Sequence, residues 1–436
     1  MTPEAPELLR TKPSLRRELG PVAVTLSGVG IILGAGIYAL LGEATGLAGN
    51  AVWLTFAISA LIAGFTALSY AELSSMYPRA SAEYEYVSNA IGRKVAFVVG
   101  WLIILSGIFG VATVSLGFGG YFSDLTGAPL LPSAVGIILV LAVILLYGIR
   151  ETAWVAITMT LIEAAGIVMI ILIGLPHLGS VDYLAMPLGL SGVLQASALV
   201  FFAYMGFEEM VKLSEEARDP VRTVPKALIL ALAITTVLYI LASLAAVSVV
   251  GWEQLAASRA PFADVAYIAL GDVAFTVIGV IALFATANTA LMMLLAASRI
   301  TYGMADAFSL PAVLARVSLR TRTPWVAILA IMLAAIVFVF AGEITFVANV
   351  TNFTLFLTFI VINAAVILLR LRAPDEPRPF CVPGSVGRVP VLPLLGVVTS
   401  LALLGQLDPT VLLVGCVLAV LGIALSFVEL RGRSGG

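Results

Sequence analysis

The hydrophobic positions of this chain gather into long apolar runs that recur from end to end, separated by short polar connections. Runs of roughly 17 to 25 residues are long enough to cross a hydrocarbon core about 30 Å thick as a helix. Twelve are found, at about 20–42, 51–76, 95–121, 133–149, 152–175, 191–211, 225–250, 271–307, 324–341, 344–371, 391–407 and 409–430. The pattern predicts an all-α integral membrane protein with twelve transmembrane helices.

Positive charge sets the expected orientation, because cytoplasmic flanks retain Lys and Arg while exported flanks do not. With the N-terminus and every second connection placed inside, Arg259 alone of the 23 Lys and Arg residues falls outside. A miscounted span would invert the sign of every later loop. The expected layout is a cytoplasmic segment 1–19, ten core helices over 20–371, a cytoplasmic loop 372–390, two further helices over 391–430 and a cytoplasmic tail 431–436. No cleavable signal is expected before the first span, whose apolar run is a full crossing rather than a short h-region. The chain is therefore expected in the cell membrane, multi-pass, with both termini cytoplasmic.

Composition agrees: 61% of residues are hydrophobic and 11% charged, and a soluble domain of this size needs far more polar surface. Cys381 and Cys416 fall in a cytoplasmic loop and a span, which gives no disulfide framework. The single histidine, His177, falls in an outside loop and supports neither a His-rich zinc site nor a Ser-His-Asp triad. A net charge of -2 carries no message about nucleic acid. No cofactor is expected, and the short connections leave no separate soluble domain.

The first span contains the stretch GVGIILGAGIYAL, Gly28 to Leu40. Gly30 and Gly34 form G-x-x-x-G, which lets two membrane helices approach closely. Four glycines also invite a break near Ile32 to Gly36, since glycine is costly in a helix interior. Unwound backbone at mid-membrane depth survives only where it lines a cavity or a site. The sixth span has a matching interruption in LVFFAYMGFEEM, where Gly206 precedes Glu208 and Glu209. Interruptions in spans one and six are what two inverted repeats of five helices would show.

Five stretches carry a family resemblance: GVGIILGAGIY in the first span, SYAELSSMYPRASAEYEYVSNAIG (Ser69 to Gly92), FFAYMGFEEMVKLSEEARDPVRTVPKA (Phe201 to Ala227), SRITYGMADAFSLP (Ser298 to Pro311) and RTPW (Arg322 to Trp325). In this order, the chain resembles the amino acid-polyamine-organocation transporter superfamily over nearly its whole length. GIRETA and APFADVA are most similar to prokaryotic amino acid permeases related to cationic amino acid transporters. The resemblance implies the five-plus-five inverted-repeat fold with broken helices 1 and 6, followed by two added helices.

A broken helix pair suits a zwitterion. The outer half of helix 1 is expected to begin near Gly34, with free N–H groups and a positive dipole end for an α-carboxylate. The carbonyls that end the inner half of helix 1 near Ile31 and Ile32, and the outer half of helix 6 near Phe202 and Ala203, suit an α-ammonium. The family pattern places substrate contacts at the same positions, which makes Ile32, Gly34, Ala35, Gly36, Phe202, Ala203 and Met205 the expected binding set. The family usually has Ser or Thr between the two glycines where this chain has Ala35, so a hydroxyl contact to the carboxylate is missing. Apolar walls near Ala203 and Met205 favour a neutral side chain, and Phe202 fits the family's aromatic gate or else packs in the core. Substitution at Gly28 is expected to matter less than at Gly34 or Gly36.

Glu163, in TMTLIEAAGIVMI, is the only acid in the middle third of any span, where an unpartnered charge costs at least about 3 kcal/mol. Many relatives carry Lys at the matching position, whose ammonium takes the place of a sodium ion. Here the sign is reversed, and three roles stay open: proton exchange, sodium ligation with Thr286 and the helix 1 carbonyls, or a permanently protonated acid bonded to a neighbouring helix. Glu208, just past the second break, is another coupling candidate, while Asn288, Asn349 and Asn352 read as interhelical glue. The expectation is a secondary active amino acid transporter rather than an enzyme, with H+ favoured over Na+ as coupling ion. A polyamine or organic cation carrier, an exchanger and a sodium symporter of the same fold are the alternatives. The bilayer and a small-molecule substrate are the only partners expected, and oligomeric state is left open.

Overall fold

The computed structural model describes residues 19–78, 82–215, 217–306, 310–341 and 343–433. The expected segment 1–19, apart from Leu19, and the last three residues of the tail lie outside the described residues, as do Arg79 and short pieces of three of the quoted stretches.

The apolar runs fold as helices because a backbone crossing hydrocarbon has to bond to itself. In chain order the helices are α1 (Pro21–Ile32), α2 (Gly36–Ala48), α3 (Val52–Met76), α4 (Ala82–Ala90), α5 (Arg93–Thr126), α6 (Leu130–Tyr147), α7 (Ile149–Gly174), α8 (Gly189–Val200), α9 (Pro220–Val250), α10 (Trp252–Ala256), α11 (Pro261–Leu270), α12 (Asp272–Asp306), α13 (Trp325–Val339), α14 (Ile344–Arg372), α15 (Val391–Leu404) and α16 (Pro409–Arg433). A two-stranded hairpin, β1 (Ser385–Val386) and β2 (Val389–Pro390), leads into α15.

Among the described residues, nine helical stretches are long and apolar enough to cross a membrane. The first expected span is split into α1 and α2, and those at 324–341 and 391–407 correspond to α13 and α15, of 15 and 14 residues. The short helices α4, α10 and α11 lie in connections between apolar runs, where hydropathy alone shows no element.

α5 is the central pillar. Its most apolar window is 78% buried, against 28% for α6, 28% for the window in α7 and 22% for that in α16. Leu139, Val140 and Val143 of α6 are accordingly exposed, as side chains bathed by acyl chains should be. Small residues let the pillar sit close to its neighbours: a Cβ on Gly107 would lie 2.6 Å from the Cβ of Ala297 on α12.

Polar bonding gathers at the end of the bundle where α3 stops and α14 stops. Glu72 of α3 is buried, and its carboxylate accepts Nε of Arg370 at 3.0 Å, Nη2 of the same guanidinium, and the N–H of Val382 at 2.8 Å. Arg378 Nε stands 3.5 Å away. The N–H of Phe380 donates to Ser75 at 3.1 Å, and Tyr77 donates to Glu376 at 2.8 Å. Burial, and the bond to Glu376, push the Tyr77 phenol up to about 12, so it remains a donor. The segment that follows α14 is thereby strapped across the end of α3. Removing the carboxylate leaves Arg370 buried and uncompensated, so Glu72→Ala is expected to lower stability by about 3 kcal/mol. Thermal unfolding in detergent measures this, and an unchanged Tm would show that the strap contributes nothing.

Candidate functional site

The first span breaks where its glycines crowd. α1 ends at Ile32 and α2 starts at Gly36, leaving Leu33, Gly34 and Ala35 between them. The Gly34 N–H turns back to the Ile32 carbonyl at 2.6 Å. α2 begins two residues later than expected, because Ala35 occupies its N-cap and offers its carbonyl to Ala39 N–H at 2.8 Å. The first N–H groups of α2, those of Gly36, Ile37 and Tyr38, find no acceptor among the described residues. They form the positive end of a helix of 13 residues.

The sixth span also breaks. α8 ends at Val200, a 3₁₀ turn covers Phe201–Tyr204, Met205 is extended, and a second 3₁₀ segment runs over Phe207–Glu215. Gly206 joins the two turns at a φ of 116°, a conformation that is strained for any residue with a Cβ. The α-helix stops earlier than the glycine because its last carbonyls are spoken for: Asn352 of α14 donates to Ala198 at 2.7 Å and to Leu199 at 3.0 Å. Glu208 accepts the Gly206 N–H at 2.9 Å, which fixes the second break, and Glu209 next to it pairs with Lys212 at 2.5 Å.

The two breaks press on each other. A Cβ at Gly36 would stand 2.4 Å from Cα of Ala203, and one at Gly206 would stand 2.8 Å from the Ile31 carbonyl oxygen. Tyr239 of α9 places one hydroxyl 2.7 Å from the Ile32 carbonyl and 3.1 Å from the Ala203 carbonyl, so it joins the two breaks. Beside them the Ala35 N–H donates to Thr289 of α12 at 2.8 Å. A hydroxyl from the adjacent helix thus stands at the break beside Ala35. Ile32, Gly34, Ala35, Gly36, Phe202 and Ala203 are buried and Met205 is half-buried, so the seven expected contact residues lie in or next to one junction.

Glu163 of α7 is fully buried. Asn288 of α12 donates to Thr160 at 2.9 Å and reaches Oε2 of Glu163 at 3.4 Å, while Oε1 has no partner among the described residues. The Glu163 carbonyl accepts the hydroxyl of Tyr38 at 2.9 Å, which ties the acid's helix to the first turn of α2. Thr286 is buried on α12, but its hydroxyl donates within its own helix, to the Ala282 carbonyl at 2.8 Å. Glu208 is held at the other break, so the three expected coupling residues are not gathered into one cluster.

Sequence reasoning missed Tyr239 and Thr289, and took Asn288 and Asn352 as general glue. No local signal marks a tyrosine or threonine as the partner of a distant broken helix; a polar residue inside a span was the only available cue. The first-span glycines serve packing as well as the break. Gly30 abuts Thr160, and a Cβ on Gly28 would fall 2.1 Å from Cε of Met210.

Two interrupted helices in contact inside a bundle of apolar helices, with unspent N–H groups at one of the breaks, are the hallmark of a multi-pass membrane carrier. The chain belongs to the amino acid permease family, whose model matches residues 19–436. It is 30% identical to the branched-chain amino acid permease BcaP of Bacillus subtilis over 449 aligned positions, which cover 97% of this chain and 94% of that protein. Similarity to the methylthioribose transporter of the same bacterium is 32% over 410 positions, or 88% and 86% of the two chains. Cationic amino acid transporter 4 of Homo sapiens is 30% identical over 390 positions, 84% of this chain and 61% of the human protein. The family is one of transporters rather than enzymes, and the resemblance to amino acid-polyamine-organocation permeases holds.

The glycine contacts rank substitutions. A methyl at Gly36 meets backbone, which cannot swing away, whereas at Gly28 it meets the flexible end of a methionine. Overpacking against backbone costs about 1–3 kcal/mol, so Gly36→Ala is expected to weaken substrate binding about tenfold. Gly28→Ala should change it about twofold at most, since its neighbour can repack. Equilibrium binding of labelled substrate to the purified protein reads both, and equal losses would reduce the glycines to simple packing.

Proposed function

We propose that the chain is a secondary active transporter that carries amino acids across the cytoplasmic membrane by alternating access, without covalent chemistry. In this reading it has twelve spans, its first ten helices form two inverted repeats of five, and both termini are cytoplasmic. The observation that carries the proposal is the junction of the two breaks, where the N–H groups of Gly36, Ile37 and Tyr38 are unspent and the carbonyls of Ile32 and Ala203 share one tyrosine hydroxyl. A zwitterion complements both. Its carboxylate suits the start of α2, and its ammonium, with three donors, serves the two carbonyls in place of the single Tyr239 proton.

Phe202, Ala203 and Met205 favour a neutral, apolar side chain, in line with the branched-chain substrate named for the Bacillus subtilis relative. A second reading comes from the other relative: methylthioribose is neutral and lacks the carboxylate that α2 would hold. Uptake of labelled leucine, arginine, putrescine and methylthioribose into proteoliposomes separates them. Leucine is expected to accumulate; uptake of methylthioribose or putrescine alone would overturn the amino acid reading.

Glu163 is proposed as the proton carrier. It sits between α7 and α12 with one oxygen unpartnered and no ion pair among the described residues. Its protonation has to differ between outward-open and inward-open states, since a group with equal proton affinity in both transfers no energy. A pH gradient without sodium is expected to drive uptake in the wild type. Glu163→Gln should keep substrate exchange and lose the response to pH. Accumulation driven by sodium and indifferent to pH would make Glu163 a cation ligand, and an unchanged pH response in the variant would move the role to Glu208 or elsewhere.

A further inference from the structure

An apolar groove of about 260 Å³ opens on the outer surface of the bundle, lined by no residue of α1, α2 or α8. Its walls come from Ala60, Leu61 and Gly64 of α3, Ile229 and Leu232 of α9, and Leu392 at the start of α15. Gly64 makes the hollow: a Cβ there would meet only Leu232, at 4.0 Å. Leu61 is 61% exposed and Ile229 is 38% exposed, so the groove faces the acyl chains of the surrounding membrane.

Three cations precede its α9 and α15 lining residues in the chain, on the side where α9 begins. Lys226 lies three residues before Ile229 on α9, about 5 Å along the axis and on the same face. Arg222 lies one turn further out on that face. Arg388 sits in the turn of the hairpin that leads through β2 into Leu392. All three are exposed, and none is in an ion pair or side-chain hydrogen bond among the described residues.

An apolar slot with free cations at one mouth complements one kind of membrane molecule. We propose that the groove between α3, α9 and α15 is a specific site for an anionic phospholipid, with an acyl chain against Gly64 and the phosphate held by Lys226 and Arg388. Neutral lipid fits the slot but leaves the cations unanswered. The chain in the groove gives depth, and the charge gives selectivity. The site rests on the membrane placement of the protein and on no reading of its substrate, so a failure of leucine uptake leaves it standing.

The test reconstitutes the full chain in vesicles of equal parts phosphatidylglycerol and phosphatidylcholine, then measures lipid retained after extraction by native mass spectrometry. Wild type is expected to retain phosphatidylglycerol over phosphatidylcholine. Each cation removed should weaken phosphatidylglycerol about fivefold, so Lys226→Gln with Arg388→Gln should lose about 25-fold and leave phosphatidylcholine unchanged. Gly64→Leu fills the slot, where a Cβ meets nothing closer than Leu232 at 4.0 Å, and should reduce retention of phosphatidylglycerol with both cations in place. Soluble glycerol phosphate should not compete. Equal retention of the two lipids by wild type, unchanged phosphatidylglycerol binding in the double variant or in Gly64→Leu, or competition by glycerol phosphate would each overturn the site.

Discussion

Hydrocarbon offers no water to a peptide group, and every other feature of this molecule follows from that constraint. An unbroken helix satisfies its own backbone; a helix that stops in mid-span leaves carbonyls and N–H groups that cost several kcal/mol each if orphaned. The protein answers with side chains from elsewhere. Asn352 of α14 takes the last carbonyls of α8, Thr289 of α12 takes the Ala35 N–H, Tyr239 of α9 serves the carbonyls of Ile32 and Ala203, and Glu208 takes the Gly206 N–H. Among the described residues the N–H groups of the opening turn of α2 are left unserved, and in the proposed reading they receive the substrate carboxylate.

Two buried acids show how differently one residue type can be used. Glu72 is saturated by Arg370, Arg378 and the Val382 amide, so its oxygens have no freedom to exchange partners. Among the described residues Glu163 has a single amide within reach of one oxygen and no partner on the other. The first pins a connecting segment to the end of a helix. The second keeps spare bonding capacity next to a helix that must move if access alternates.

The breaks were legible because glycine clusters inside an apolar run have few explanations, and Glu163 because a lone acid at mid-span is costly wherever it sits. What surrounds them was not. Tyr239 lies 207 residues beyond the Ile32 carbonyl and 36 beyond that of Ala203, and nothing in its own neighbourhood distinguishes it from a tyrosine that merely packs. The same holds for Thr289, which accepts the Ala35 N–H from 254 residues further along the chain. Such pairings are set by which helices touch, which hydropathy does not encode. Short helices in the connections, such as α4 and α11, escaped for the opposite reason: they are too brief for a hydropathy window built to find spans.

The shortness of α13 and α15 also bears on the membrane around the protein. At 15 and 14 residues their helical parts measure about 22 and 21 Å, some 8 Å less than an average hydrocarbon core. In the proposed twelve-span reading both cross the bilayer, and the lipids flanking them are compressed or splayed to hide the mismatch, at a fraction of a kcal/mol for each ångström. In that reading the bilayer is locally dimpled on the sides of the bundle that carry them, and thin membranes with short acyl chains accommodate the protein best.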